Sequence, residues 1–132
     1  MVLVDTSVFI DFFNAKKNQQ VKWLIELLEE SIPIVINGLI YQEVLQGIRV
    51  EKSYREIKGV LDDFYYIDTP ESIYLDAANL FRKLQSKGVT IRKSVDLIIA
   101  QTAVHSNIPL LQNDRDFMNI SLHTKLNIYT GL

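Results

Sequence analysis

The apolar positions of the chain come in short blocks whose period changes along the sequence. Val2, Leu3 and Val4 form a continuous apolar run that ends in Asp5, Thr6 and Ser7, side chains suited to capping a helix from about Val8. The pattern predicts a strand followed by a helix. Between Asn18 and Glu30, Val21, Leu24, Ile25 and Leu28 recur at helical spacing, and Pro33 then opens a second buried strand, Ile34–Ile36. Leu39 to Val50 and Glu51 to Asp63 read as two further helical segments, followed by a third strand at Phe64–Ile67. Proline suits the first position of a helix and glycine the position just past its end, so Pro70 and Gly88 bracket a helix running to about Lys87. Another begins at Ser94 or Asp96 and continues to about Ser106. Pro109–Leu111 is the fourth strand, Asp114–Ile120 a short helix and Leu126–Tyr129 a fifth strand.

Parallel strands need crossovers, and helical crossovers bury both faces of a sheet, which explains strands that are apolar throughout rather than alternating. The expected architecture is therefore a three-layer α/β/α sandwich with a mainly parallel, about five-stranded sheet. At 132 residues the chain fits one domain spanning 1–132, and its 48% hydrophobic content supports a single core.

Composition narrows the chemistry. No apolar run approaches the roughly 20 residues that span a bilayer, and the first residues lack a basic segment and a cleavage site, so a soluble, cytoplasmic protein is expected. The chain contains no cysteine, which removes disulfides, thiolate metal sites and cysteine nucleophiles together. Only His105 and His123 are present, in segments that read as helix ends or loops. Any metal must then be held mainly by oxygen. A net charge of -2 argues against coating nucleic acid by bulk electrostatics but leaves room for a local basic patch.

In an open parallel sheet the functional crevice lies beyond the carboxyl ends of the strands. Asp5 leaves strand one, Glu43 lies in the first turns of the helix after strand two, Asp96 opens a helix and Asp114 leaves strand four. Singly, Asp5, Asp96 and Asp114 are explained as helix caps and Glu43 as a solvated helix residue. Together on one edge they would repel, and a divalent cation relieves the repulsion. Oxygen-only ligation selects a hard ion, Mg²⁺ or Mn²⁺, which also accepts phosphate oxygens.

The segments Val4–Val8, Glu43–Gly47, Arg92–Ala100 and Leu110–Phe117, in this order, resemble the PIN-domain family and within it the VapC-type toxins of toxin–antitoxin pairs. The resemblance covers nearly the whole chain. It implies an acidic metal site at Asp5, Glu43, Asp96 and Asp114, with Asp116 as an adjacent, secondary acid. Within that site the expected metal ligands are Asp5, Asp96 and Asp114, held directly or through water, and Glu43 is expected to orient or deprotonate the attacking water. It further implies Mg²⁺- or Mn²⁺-dependent endonucleolytic cleavage of RNA by water, a homodimer, and silencing by an antitoxin protein. Thr6 and Ser7 match the family's hydroxyl pair, which either caps the first helix or orients Asp5 or a water. Gln112 departs from the threonine that many relatives carry two residues before the fourth acid, although an amide can still hydrogen-bond there.

Arg92 and Lys93 precede Asp96 closely and are the RNA-backbone candidates. Arg49, Lys52, Arg55 and Lys58 recur at helical spacing and read as a phosphate-facing stripe or as a solvated face. Trp23 and Leu27 lie off the apolar stripe of their helix, giving a second apolar side that either packs internally or receives an antitoxin segment. Two alternatives remain. A receiver-like phosphoacceptor would use Asp68, but strand one ends in one acid rather than a pair, and no lysine follows strand five as expected. A catalytically inactive PIN-like binding module would leave four clustered acids without a physical reason.

Overall fold

The computed structural model describes residues 1–132. In chain order the elements are β1 (Val2–Val4), α1 (Thr6–Phe13), α2 (Gln19–Glu29), β2 (Ile34–Ile36), α3 (Gly38–Gln46), α4 (Glu51–Asp62), β3 (Tyr65–Tyr66), α5 (Glu71–Ser86), α6 (Ser94–Ser106), β4 (Leu110–Leu111) and α7 (Arg115–Ser121). The sheet is parallel throughout, in the order β3-β2-β1-β4. Every residue of β1 and β2 is buried although successive side chains point to opposite faces, so helices cover the sheet on both sides. The helices associate as two groups, α1 with α2 and α3, and α6 with α5 and α7. No helix is long and apolar enough to cross a membrane.

The expected α/β sandwich is present with one strand fewer. Leu126–Tyr129 contributes a single parallel bridge, Leu110 to Ile128, held by Leu110 N–H to Asn127 O (2.9 Å) and Tyr129 N–H to Leu110 O (2.9 Å). One bridge is too short a ladder to count as a strand. At the end of α5, Gly88 adopts φ +74°, and the N–H groups of Gly88 and Val89 close the last turn on the carbonyls of Gln85 and Leu84.

Helix α2 is rotated from the position its stripe suggests. Val21, Leu24 and Leu27 face the core, while Ile25 and Leu28 are exposed. Leu27 is fully buried, which corrects its assignment as an antitoxin contact. Trp23 is half-buried and packs edge-on against Tyr129, with ring centroids 5.9 Å apart. Apolar residues lie nearly all round α2, so periodicity leaves its rotation open, and packing on α1 and the sheet chooses it.

The pairing register fixes what meets at the carboxyl edge. Leu3 is level with Val35, and Val4 with Leu111. Continuing the count, Asp5 stands beside Asn37 on one side and Gln112 on the other. The Asp5 N–H still donates to Leu111 O at 2.9 Å.

Candidate active site

Each acid is set by a local feature. Asp5 is the N-cap of α1, its Oδ2 accepting from the backbone N–H (3.1 Å) and Oγ (2.7 Å) of Ser7. Glu43 lies in the second turn of α3, and its Oε1 accepts from Thr6 Oγ1 at 3.1 Å. The hydroxyl pair therefore divides its work: Ser7 holds Asp5, and Thr6 holds Glu43. Asp114 caps α7, its Oδ1 accepting from the Asp116 N–H at 2.9 Å. The Asp114 N–H in turn donates to Gln112 Oε1 at 2.5 Å, so the amide fixes this loop. Asp96 sits in the first turn of α6 and is 1% exposed.

Asp96, Asp114 and Asp116 each offer a carboxylate oxygen within 4.8 Å of the others. Asp116, placed second by sequence, thus joins the tightest part of the cluster. Its signal was its position two residues after Asp114, in the first turn of α7 and pointing inward. Asp5 and Glu43 lie outside this closest trio but within its field. Burial pushes the Asp96 carboxyl up to about 7, against the pull of Lys93, with Asp5, Asp114 and Glu43 adding to the rise. Burial also raises Asp5, opposed by the Ser7 hydrogen bonds, and Glu43 adds to that rise.

Two cations face the acids. Arg92 Nη2 is 2.7 Å from Asp114 Oδ1, and its Nε is 3.1 Å from Asp116 Oδ2, while 55% of its side chain stays exposed. Lys93 Nζ is 3.7 Å from Asp96 Oδ1. Arg49 precedes α4, and Lys58 is paired with Asp62 at 2.6 Å, so neither extends a free basic stripe.

A divalent cation suits this donor set. Asp96 Oδ2 is buried without any hydrogen-bond partner, an arrangement that is costly for a carboxylate unless a cation meets it. The neighbouring donors are hard oxygens, the set that Mg²⁺ and Mn²⁺ prefer. Asn37, which belongs to none of the motif segments, is fully buried beside Asp5. Its Oδ1 caps α3 by accepting from the Ile40 N–H at 3.0 Å, and its Nδ2 has no partner. The available signal was its place directly after β2, equivalent to that of Asp5 after β1.

The PIN-domain family model matches residues 2–121. The chain belongs to the PIN-domain family. Among curated relatives, this PIN domain is 30% identical over 128 residues to ribonuclease VapC1 of Methanocaldococcus jannaschii, covering 97% of this chain and 86% of the relative. It is 26% identical over 128 residues to ribonuclease VapC11 of Mycobacterium tuberculosis, covering 96% of each. Among solved structures, VapBC2 from Rickettsia felis, bound to a DNA fragment from the promoter of the pair, superposes with a TM-score of 0.76 at 21% identity. That match covers 98% of both chains and establishes a shared fold.

Proposed function

We propose that this PIN domain is a Mg²⁺- or Mn²⁺-dependent endoribonuclease, the toxin of a toxin–antitoxin pair. The observation that carries the reading is the buried, unpartnered carboxylate oxygen of Asp96 inside a cluster of acids on the functional edge of a parallel sheet. Membership of the family and the ribonuclease relatives support it. In this reading Asp5, Asp96 and Asp114 hold the ion, with Asp116 beside them. When bound, such an ion supplies charge neutralisation at a scissile phosphate and makes hydroxide more available near neutral pH. Glu43, steadied by Thr6, accepts the proton of the attacking water. Ser7 fixes the Asp5 carboxylate through its Oδ2. Cleavage by water leaves a 5′-phosphate and needs no 2′-hydroxyl attack.

Arg92 is proposed to hold the RNA backbone. A guanidinium has five donors, and the two contacts to Asp114 and Asp116 leave others directed to solvent beside the site. Arg92→Glu is expected to weaken RNA binding and flatten its salt dependence, measured by filter binding across a salt series. Unchanged affinity and slope would remove Arg92 from the RNA path.

The proposed partners are an antitoxin and a second copy of the chain. The buried Leu27 leaves the groove between α1, α3 and α4 as the better seat for an amphipathic antitoxin segment. It holds about 390 Å³ and is lined by Ile10, Phe13, Val44, Ile48 and Ile57. Helix α3 forms one wall and also carries Glu43, so an occupant would lie beside the acids. Sedimentation of the chain alone and with its antitoxin tests both associations, and a monomer unchanged by the antitoxin would overturn them.

The receiver-like alternative loses ground because Asp68 is exposed and follows β3, the edge strand two places from β1 in the sheet. The deciding experiment is incubation of antitoxin-free protein with a total-RNA pool and Mg²⁺ or Mn²⁺, with EDTA controls and sequencing of fragment ends. Discrete metal-dependent cuts are expected and would identify the RNA class. Folded protein that cuts nothing would return weight to a binding module.

A further inference from the structure

Asp114 is carried by the loop between β4 and α7, and that loop is tied to a helix more than one hundred positions away in sequence. The Asn113 backbone N–H donates to Ser7 Oγ at 3.1 Å, and the Asn113 side-chain Nδ2 donates to Asp11 Oδ2 at 3.1 Å. Ser7 and Asp11 are four residues apart on α1, so they project from the same face of that helix toward the same loop. Ser7 Oγ passes the connection on by donating to Asp5 Oδ2 at 2.7 Å. The same Asp11 oxygen also accepts from Asn18 Nδ2 at 3.0 Å, and Asn18 Oδ1 caps α2. Asp11 is itself held, with its side chain only 14% exposed and Lys16 Nζ at 3.6 Å from its other oxygen.

A carboxylate only accepts, and the two asparagine amides offer the matching donors. We propose that Asp11 is a positioning residue. With Asn113 it forms a clamp that fixes the Asp114 loop against the Asp5 helix and so sets the spacing of the acids that receive a divalent cation. The clamp lies outside the acid cluster, and Asp11 acts on it only through Asn113. This inference rests on the metal-site reading above. A loop held from both its backbone and its side chain presents the Asp114 carboxylate in one place, whereas a free loop must be ordered when the ion arrives.

The test is Mn²⁺ binding by isothermal titration calorimetry to the full chain and to Asn113→Ala, Asp11→Ala and Asp11→Asn, with the melting temperature of each. Asn113→Ala and Asp11→Ala are expected to bind about tenfold or more weakly. Asp11→Asn is expected to bind as the natural chain does, because its amide oxygen accepts from the same two donors. A long-range charge effect would weaken both Asp11 variants alike and spare Asn113→Ala, which would overturn the clamp. Asn113 is exposed and its variant tests the clamp even if Asp11→Ala loosens the start of α2. Natural chain that binds Mn²⁺ alongside variants that bind it equally well overturns the clamp alone. Natural chain that binds no Mn²⁺ overturns the metal-site reading and the clamp with it.

Discussion

Asp96→Asn should abolish metal-dependent RNA cleavage while making the metal-free protein more stable above neutral pH. The two effects share one cause. In the fold, burial holds the Asp96 carboxyl near 7, against 3.8 as its ordinary value. Between those values the folded chain binds more protons than the unfolded chain, so unfolding free energy falls as pH rises from about 4 to about 7. Asp5, also raised by burial, contributes with the same sign. Asparagine keeps the shape and never ionises, so it removes the Asp96 share of that slope. The gain at pH 8 is at most about 4 kcal/mol, at about 1.4 kcal/mol for each pH unit between the two values. Mg²⁺ should restore stability to the natural chain and do much less for the variant, because binding to the folded state alone stabilises it. Cleavage should fall on the order of 100-fold or more with the loss of a charged ligand. Thermal unfolding at pH 5 and pH 8, with EDTA and with Mg²⁺, and RNA cleavage by the same preparations check the two halves. Parallel pH slopes for variant and natural chain would show that Asp96 is not strained by burial. Cleavage surviving in the variant would remove it from the site.

Leu27→Ala should destabilise the fold by about 2–5 kcal/mol, the usual range for emptying a well-packed leucine site. Leu27 is 0% exposed and belongs to the cluster that joins α2 to the sheet. Its neighbour Leu28 is 41% exposed, and Leu28→Ala should change stability by no more than about 0.5 kcal/mol. Urea denaturation of both variants separates the two positions. A Leu27→Ala protein of full stability that fails to bind antitoxin would reinstate this residue as a surface contact. The contrast matters because adjacent leucines on one helix are indistinguishable by composition. Only the rotation of α2 on α1 assigns one to the core and the other to solvent.

The alternation of strands and helices, and with it the parallel α/β sandwich, is written in local patterns of apolar and turn residues. Apolar blocks bounded by Pro33, Pro70, Gly88 and Pro109 leave little freedom in the order of elements. Sequence also placed Asp5 and Asp114 at helix starts, because capping is a local interaction between a side chain and the next few N–H groups, whereas Asp96, expected as a cap, lies inside the first turn of α6 and caps nothing. Tertiary structure decided what depends on contacts distant in sequence. It reduced the fifth strand to one bridge, since a ladder needs sustained pairing with β4 that Leu126–Tyr129 does not maintain. It drew Asp116 into the closest group of acids, joined Arg92 to Asp114 and Asp116, and linked Asn113 to Asp11. Each of these joins groups whose separation is set by the sheet register and by helix docking. A local pattern carries no record of the register between β1 and β4, and that register is what brings residues 5 and 112 side by side at the carboxyl edge.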